Sequence, residues 1–397
     1  MEIVGIIMIN KFDINAIKKI GIIGGGQLAK MMIVPAQRMG LEVYTLDPDS
    51  NANASFSAND HVVGAYSDET ALRKLAALVG KGGVITFDLE HVGLDAVKKL
   101  EQEGYKIRPN TSSQAIIQDK YLQKEALKKA GIAVADFEKM EIESEIREWF
   151  KINKKGVLKS RRFSYDGYGN FVLDDEKDIA EGFKKLSKNT GGLYIEKWVP
   201  FNLEISVNVA RGLNGEKMCY PLCENEHENN VLYTTIVPAR VSEKIADRAR
   251  ELALKTADVF EGAGNLCVEM FLTKSGDILV NEVAPRPHNS GHFSIEACHV
   301  SQFENHIRGV AGLPLGDTEL RDEMTIMLNI LGDRTKSGKV RYEGVEKAME
   351  LGFSVHLYGK EETRPGRKMG HMTISGDREK LLKIYENIEN VRIKATT

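Results

Sequence analysis

The run Lys19–Gly25, KIGIIGG, passes from apolar residues straight into glycines, and it restricts the fold more than any other feature of the chain. A short apolar run without polar alternation reads as a strand buried on both faces. A helical stretch follows from about Gln27 to Met39, and Gly40 stands where a left-handed C-cap is needed. LEVYTLD (Leu41–Asp47) is then a second strand, which makes a βαβ opening. HVVGAY, a helix over about Glu69–Val79 and GGVITFD continue the alternation. The pattern predicts an open, mostly parallel, Rossmann-like sheet with helices on both faces.

From about Asp119 the texture changes to α+β. Lys120–Ala130 reads as a helix stopped by Gly131. VLKSRRF, NFVLDD, LYIEKWV, LEISVNVAR and MCYPL read as short strands, and Glu243–Phe260 as a long helix. NLCVEMFLT and DILVNEVA are two strands joined by a tight turn. Beyond Pro314 come a strand (TIMLNIL), a helix near Glu343–Leu351, a strand (SVHLYG), a basic loop and a last helix. The expected division is an extension (1–18), the parallel-sheet domain (19–119), a central domain (120–313) and a small C-terminal domain (314–397). No Pro-rich linker or repeat separates them, so they are expected to interleave.

The net charge of −3 supplies no basic field for nucleic acid. No run of about 18 apolar residues is present, so no membrane span is expected. Met1–Asn10 lacks a basic start and a small-residue cleavage site, and does not read as a signal peptide; Met1 and Met8 each offer a start. Cys219, Cys223, Cys267 and Cys298 form no CxxC pair, which argues against zinc and for reduced thiols in the cytoplasm.

Three constellations carry chemistry. Gly24–Ala29 fits G-x-G-x-x-A between strand and helix, with Asp47 ending the next strand, and suits either a dinucleotide or another phosphorylated ligand. Glu269 and Glu282 flank Lys274-Ser275-Gly276-Asp277. A two-residue loop at Ser275-Gly276 would set Glu269 opposite Glu282, with Cys267 and Phe271 on the face of Glu269 and Val280 on that of Glu282. Like charges so placed repel unless a cation bridges them, and two carboxylates with phosphates form a common Mg²⁺ shell, to which Asn281 adds an oxygen. Pro285–His292 packs Arg286, His288, Asn289, Ser290 and His292 into one turn directly after Glu282. Lys120 and Lys159 can serve phosphate as point charges. Glu196–Val199 can offer backbone groups to an adenine edge, and Glu204 can take ribose hydroxyls. Arg161–Asn170, RRFSYDGYGN, is a charged Gly-rich loop of the kind that closes over phosphates.

Together these residues resemble the 5-(carboxyamino)imidazole ribonucleotide synthases of the ATP-grasp superfamily, in GIIGGGQLAKM, SYDGYGNF, YPLCENEH, NLCVEMFLT, NEVAPRPHNSGH, SQFE and RPGRKMGH. The resemblance runs from about Lys19 to the last helix. It implies an ATP-grasp fold behind a pre-ATP-grasp domain, and a carbon–nitrogen ligase of purine (IMP) biosynthesis. The reactants would be ATP, bicarbonate and aminoimidazole ribonucleotide, with Mg²⁺ or Mn²⁺, on a cytoplasmic homodimer that engages neither nucleic acid nor membrane. It carries ATP contacts onto Lys120, Lys159, Ser164, Tyr165, Asp166, Gly167, Tyr168, Gly169, Asn170, Glu196, Lys197, Trp198, Val199, Glu204, His227, Asn281 and Glu282, and metal onto Glu269 and Glu282. It carries ribonucleotide contacts onto Glu90, Tyr165, Asp166, Arg286, His288, Asn289, Ser290, Lys360 and Arg367, with Asp166, Lys159 and Arg286 as catalytic groups.

One departure stands out. The family loop usually reads Tyr-Asp-Gly-Arg or Tyr-Asp-Gly-Lys, where this chain has Tyr165-Asp166-Gly167-Tyr168, and Arg161 or Arg162 is the nearby substitute cation. The competing readings are another ATP-grasp ligase, such as a formate-using glycinamide ribonucleotide transformylase; a nicotinamide-dependent oxidoreductase built on Gly24–Ala29 and Asp47; and a nucleotide sensor without turnover.

Overall fold

The computed structural model describes residues 17–163, 169–189, 191–333 and 335–397. The first unit is a five-stranded parallel sheet of β1 (Lys19–Ile23), β2 (Glu42–Asp47), β3 (Asp60–Val63), β4 (Val84–Phe87) and β5 (Lys106–Ile107), in the order β3-β2-β1-β4-β5. β1 is buried almost throughout, as its uninterrupted apolar run requires. Helices α1 (Gln27–Arg38), α2 (Glu69–Val79) and α3 (Leu94–Gln102) connect the strands. Leu72, Leu75, Val97 and Leu100 fill one face of the sheet. Met32 and Ile33 fill the other, together with Phe303, Ile307 and Val310. The second face is therefore completed by a helix from far along the chain, which the local pattern could not announce.

Helices α4 (Thr111–Gln118) and α5 (Lys120–Lys129) lead out of this unit. Asp119 caps α5, accepting from the Tyr121 and Leu122 amides at 3.1 and 3.2 Å. A four-stranded antiparallel sheet follows: β6 (Phe137–Met140), β7 (Gly156–Ser160), β8 (Asn170–Leu173) and β9 (Leu193–Lys197), ordered β6-β9-β7-β8. Helices α6 (Glu143–Asn153) and α7 (Asp178–Leu186) cover it through Ile146, Trp149, Phe150 and Ile179.

The largest sheet draws on β10 (Phe201–Arg211), β11 (Lys217–Cys219), β12 (Cys223–Glu228), β13 (Val231–Val237), β14 (Gly264–Thr273) and β15 (Ile278–Ala284), backed by α8 (Glu243–Phe260). After α9 (Ser294–Ala297) and α10 (Gln302–Ala311) comes the last region: β16 (Met324–Leu331), β17 (Gly338–Lys339), β18 (Arg341–Glu343), α11 (Val345–Glu350), β19 (Ser354–Leu357), β20 (Glu362–Thr363), β21 (Lys368–Gly376), α12 (Arg378–Glu386) and β22 (Lys394–Thr396). Here β16 pairs with β13, so one sheet runs β15-β14-β10-β12-β13-β16-β21-β19 through both regions.

Candidate functional site

The β14–β15 hairpin sets the paired carboxylates, by a route the sequence count did not contain. The Thr273 amide donates to the Asp277 carbonyl at 2.9 Å and the Gly276 amide to the Thr273 carbonyl at 3.0 Å. The connection thus has three residues, with Gly276 at φ 85° supplying the left-handed position. That alone would offset the pair by one residue. A bulge at Asn281 removes the offset, and Glu269 lies opposite Glu282. The same bulge corrects the expectation for Val280, which pairs with Met270 and enters the opposite core face. The Asn281 Oδ1 is buried with no hydrogen-bond partner among the described residues.

Glu269 Oε1 is 2.9 Å from His288 Nε2, and Glu282 Oε1 is 3.6 Å from Lys120 Nζ. The Ser290 amide donates to His288 Nδ1 at 3.3 Å, which leaves Nε2 to face Glu269 with a proton. Burial pushes the Glu269 carboxyl up, but His288, together with His227 and Lys120, brings it below the usual carboxylate range. Glu204, 3.1 Å from His227 Nδ1, behaves oppositely. Burial first, then the charges of Glu269 and Glu282, push it up to about 7 against the pull of Lys159. A cleft whose carboxylates repel one another and whose buried amide oxygen lacks a donor fits a hard divalent cation.

At the end where the sequence leads one to expect a nucleotide, the Glu196 side chain does not reach outward. Its buried carboxylate lies 3.1 Å from Lys124 Nζ and 3.2 Å from Lys159 Nζ. Burial opposes the ionised acid, but the two lysines hold it at about 2. The Lys197 amide donates to Asp136 and the Trp198 amide to Lys155, at 2.8 and 3.3 Å. In the run Glu196–Val199 the Val199 amide is the remaining donor without a hydrogen-bond partner among the described residues. Asn170 pairs with Lys159 across β8 and β7, and the Gly169 carbonyl accepts from Ser160 at 2.8 Å. Ser164, Tyr165, Asp166, Gly167 and Tyr168 lie outside the described residues. Arg161 is no substitute cation: it grips Asp119 with Nε and Nη2 at 3.0 and 2.6 Å. Arg162 leans on the same carboxylate at 3.6 Å.

At the other end, Glu90 leaves the carboxyl end of β4 and meets Arg286, Oε1 to Nη2, at 2.8 Å. Burial pushes the Glu90 carboxyl up, and Arg286 and Lys120 bring it down to about 2. β1 and β4 flank the point where the strand order reverses, which is where open α/β sheets take ligands. The glycine loop there is not shaped for a dinucleotide. The Gly25 amide donates to Asp47 Oδ2 at 2.9 Å and the Gly26 amide to Asp88 Oδ2 at 3.0 Å. Asp47 also receives Tyr66 Oη at 2.6 Å and the Asp49 amide at 2.9 Å, so three of its acceptor positions are taken within the protein. A Cβ on Gly24 would stand 1.5 Å from Asp88 Oδ1, which explains glycine there.

The turn after β15 is held by residues not foreseen as part of the site. Gln302 accepts from the His288 amide at 2.9 Å and donates to the His288 carbonyl at 2.7 Å. Ser290 Oγ receives Ser206 at 2.9 Å, and Asn289 and Asn329 exchange amide hydrogen bonds at 2.9 and 2.7 Å. The side chains of Asn289 and Ser290 thus fix the turn, while Arg286 and His288 face charged partners. Lys360 Nζ donates to the Lys368 carbonyl at 2.7 Å, and Arg367 Nη1 to the Glu362 carbonyl at 2.6 Å. The base of their loop is pinned by His356, 2.6 Å from Glu296 and stacked 4.4 Å from His371. Gln302 was signalled by the SQFE motif, and Lys124 by its position one turn beyond Lys120 on α5.

Residues 17–118 match the ribonucleotide synthetase preATP-grasp domain, 125–303 the ATP-grasp domain, and 325–383 the phosphoribosylaminoimidazole carboxylase C-terminal domain. The chain is 42% identical over 360 residues to the chloroplastic phosphoribosylaminoimidazole carboxylase of Vigna aconitifolia, covering 90% of this chain and only 64% of that longer protein. The crystal structure of N5-carboxyaminoimidazole ribonucleotide synthetase from Thermotoga maritima is similar at a TM-score of 0.85 and 43% identity, over 96% of this chain and 100% of that one. N5-carboxyaminoimidazole synthase of Aspergillus clavatus, solved with ADP and 5-aminoimidazole ribonucleotide, is similar at 0.83 and 34%, over 95% of this chain and 99% of that one.

Proposed function

The chain belongs to the N5-carboxyaminoimidazole ribonucleotide synthase family, and from that premise we propose that it carboxylates 5-aminoimidazole ribonucleotide with ATP and bicarbonate, in purine biosynthesis. One observation carries the reading. Glu282, beside its paired carboxylate, and Arg286, against Glu90 of the parallel sheet, are four residues apart on one strand exit. A nucleotide at the first and a ribonucleotide at the second would have their reactive ends side by side.

A bicarbonate oxygen attacks the γ-phosphorus of ATP, the bond to the β-phosphate oxygen breaks, and ADP leaves. Glu269, Glu282 and Asn281 would hold Mg²⁺ or Mn²⁺, which supplies charge neutralisation to the phosphates. Lys120 and Lys159 add positive charge at the same oxygens, and Val199 takes the adenine edge. Carboxyphosphate then releases phosphate, and the exocyclic amine of the ribonucleotide bonds to the freed carbon. Asp166 accepts the amine proton. Arg286 and His288 orient the ring, while Lys360 and Arg367 take its 5′-phosphate. The boundaries 19–119, 120–313 and 314–397, a homodimer and a cytoplasmic location belong to the same proposal. Among the described residues no helix is long and apolar enough to cross a membrane.

The test is phosphate release from ATP with each reactant omitted in turn. Release that depends on both bicarbonate and aminoimidazole ribonucleotide is expected. Release driven by glycinamide ribonucleotide and formate, or tight NADH binding without ATP hydrolysis, would replace the reading.

A further inference from the structure

Lys124 is a buried lysine to which the reaction above gives no part; burial pulls its ammonium below the usual lysine range, and Glu196 opposes that pull. Its side chain is 2% exposed, and its ion-pair partner is Glu196, at 3.1 Å. Among the described residues neither Lys124 Nζ nor Glu196 Oε1 makes a well-aligned hydrogen bond to any group. The other oxygen of Glu196 holds Lys159 at 3.2 Å. Lys124 and Glu196 are thus sealed behind the wall of the nucleotide cleft, with Tyr194 buried beside them, while Lys159 is only partly buried. A pair of Glu196 and Lys159 alone would already be neutral. Adding a buried ammonium brings a further desolvation penalty, and apolar side chains of similar volume usually fill such a site at no loss of stability. The extra lysine changes one thing above all, which is the net charge of Lys159 together with the groups behind it, from zero to one positive.

We propose that Lys124 is a positioning residue for the nucleotide site, taking up the charge of Glu196 so that Lys159 presents an uncompensated positive charge to the phosphates. This rests on the reading that Lys159 serves ATP. Lys159 already acts on the cleft, since it opposes the upward push on Glu204. With Lys124 gone, Glu196 would draw Lys159 back onto itself, and the cleft would lose a cation without losing the lysine.

The experiment measures binding of Mg²⁺ with a non-hydrolysable ATP analogue, and of adenosine, which carries no phosphate. Lys124→Met is expected to weaken the analogue about tenfold, the order of one charge-assisted contact, and to leave adenosine unchanged. Lys124→Met with Glu196→Gln restores the single positive charge and should recover most of the loss. Lys124→Arg should bind as the parent does. Lys124→Gln keeps a polar side chain in the site if Lys124→Met fails to fold, and should weaken the analogue by the same factor with adenosine unchanged. Equal weakening of analogue and adenosine, full-strength analogue binding by the uncharged variants, or no recovery in the double variant would each overturn the inference. Lys159→Met separates the two layers: if it leaves analogue binding intact, the reading of Lys159 falls first and the role of Lys124 with it.

Discussion

Asp88→Asn is expected to stabilise the unliganded protein, and to do so more at pH 8 than at pH 5. Asp88 directly follows β4 at 9% exposure, facing the glycine loop. Burial, reinforced by Asp47 and opposed by the Gly26 amide and Arg286, raises its carboxyl from 3.8 to about 7. The folded protein therefore keeps a proton that the unfolded chain has already released. Stability is fullest below the unfolded value, falls as pH rises between about 4 and 7, and levels off above. The gap between 3.8 and about 7, at about 1.4 kcal/mol per pH unit, corresponds to about 4 kcal/mol above pH 7, and rather less than half of that at pH 5. Asparagine keeps an oxygen for the Gly26 amide and removes the charge. The melting temperatures of variant and parent should move apart by about 3–5 °C from pH 5 to pH 8. Thermal melts followed by circular dichroism in ligand-free buffers measure this. Melting temperatures that stay a constant distance apart over that range would refute the buried-carboxylate argument.

Glu282→Gln should abolish turnover while the apo melting temperature holds or rises, because it relieves the repulsion with Glu269; near-normal turnover at saturating Mg²⁺ would remove Glu282 from the metal role. Arg367→Ala should raise the Michaelis constant for aminoimidazole ribonucleotide about tenfold to a hundredfold, with that for ATP barely changed; equal effects on both would place the phosphate elsewhere. Tyr168→Arg should preserve or raise bicarbonate-dependent turnover, and a large loss would mean that the loop is built around the tyrosine.

The sequence revealed elements wherever one local rule dominated. The apolar run of β1 could only be a doubly buried strand, and α8 was legible end to end from its helical stretch. The opposition of Glu269 and Glu282 was read correctly through two compensating differences, a longer turn and a bulge, neither of which carries an unambiguous sequence mark. Asp47 was misjudged because its position on β2 does not say which way its carboxylate is used, and the Gly25 amide and Tyr66 use it inward. The Glu196 carboxylate is also used inward, by Lys124 of α5 and Lys159 of β7, and its sequence position names neither partner. Arg161 failed as a replacement cation because Asp119, distant in sequence, already holds it. In each instance the residue type was informative and the partner was not, because partners are fixed by tertiary packing.

From β15 to β16 the large sheet takes five steps between neighbouring strands, about 24 Å at the usual spacing. Yet Asn289, five residues beyond Ala284, exchanges hydrogen bonds with Asn329 of β16. The far edge of the sheet must therefore curl until its exit strand returns to the C-terminal strands, and the two asparagines form a seam. This bears on recombination between relatives. A chimera joined near residue 320, at the nominal border of the last region, would cut across both that seam and the ladder of Thr234–Val237 with Thr325–Leu328. A tolerated crossover must carry both asparagines and both strands from the same parent.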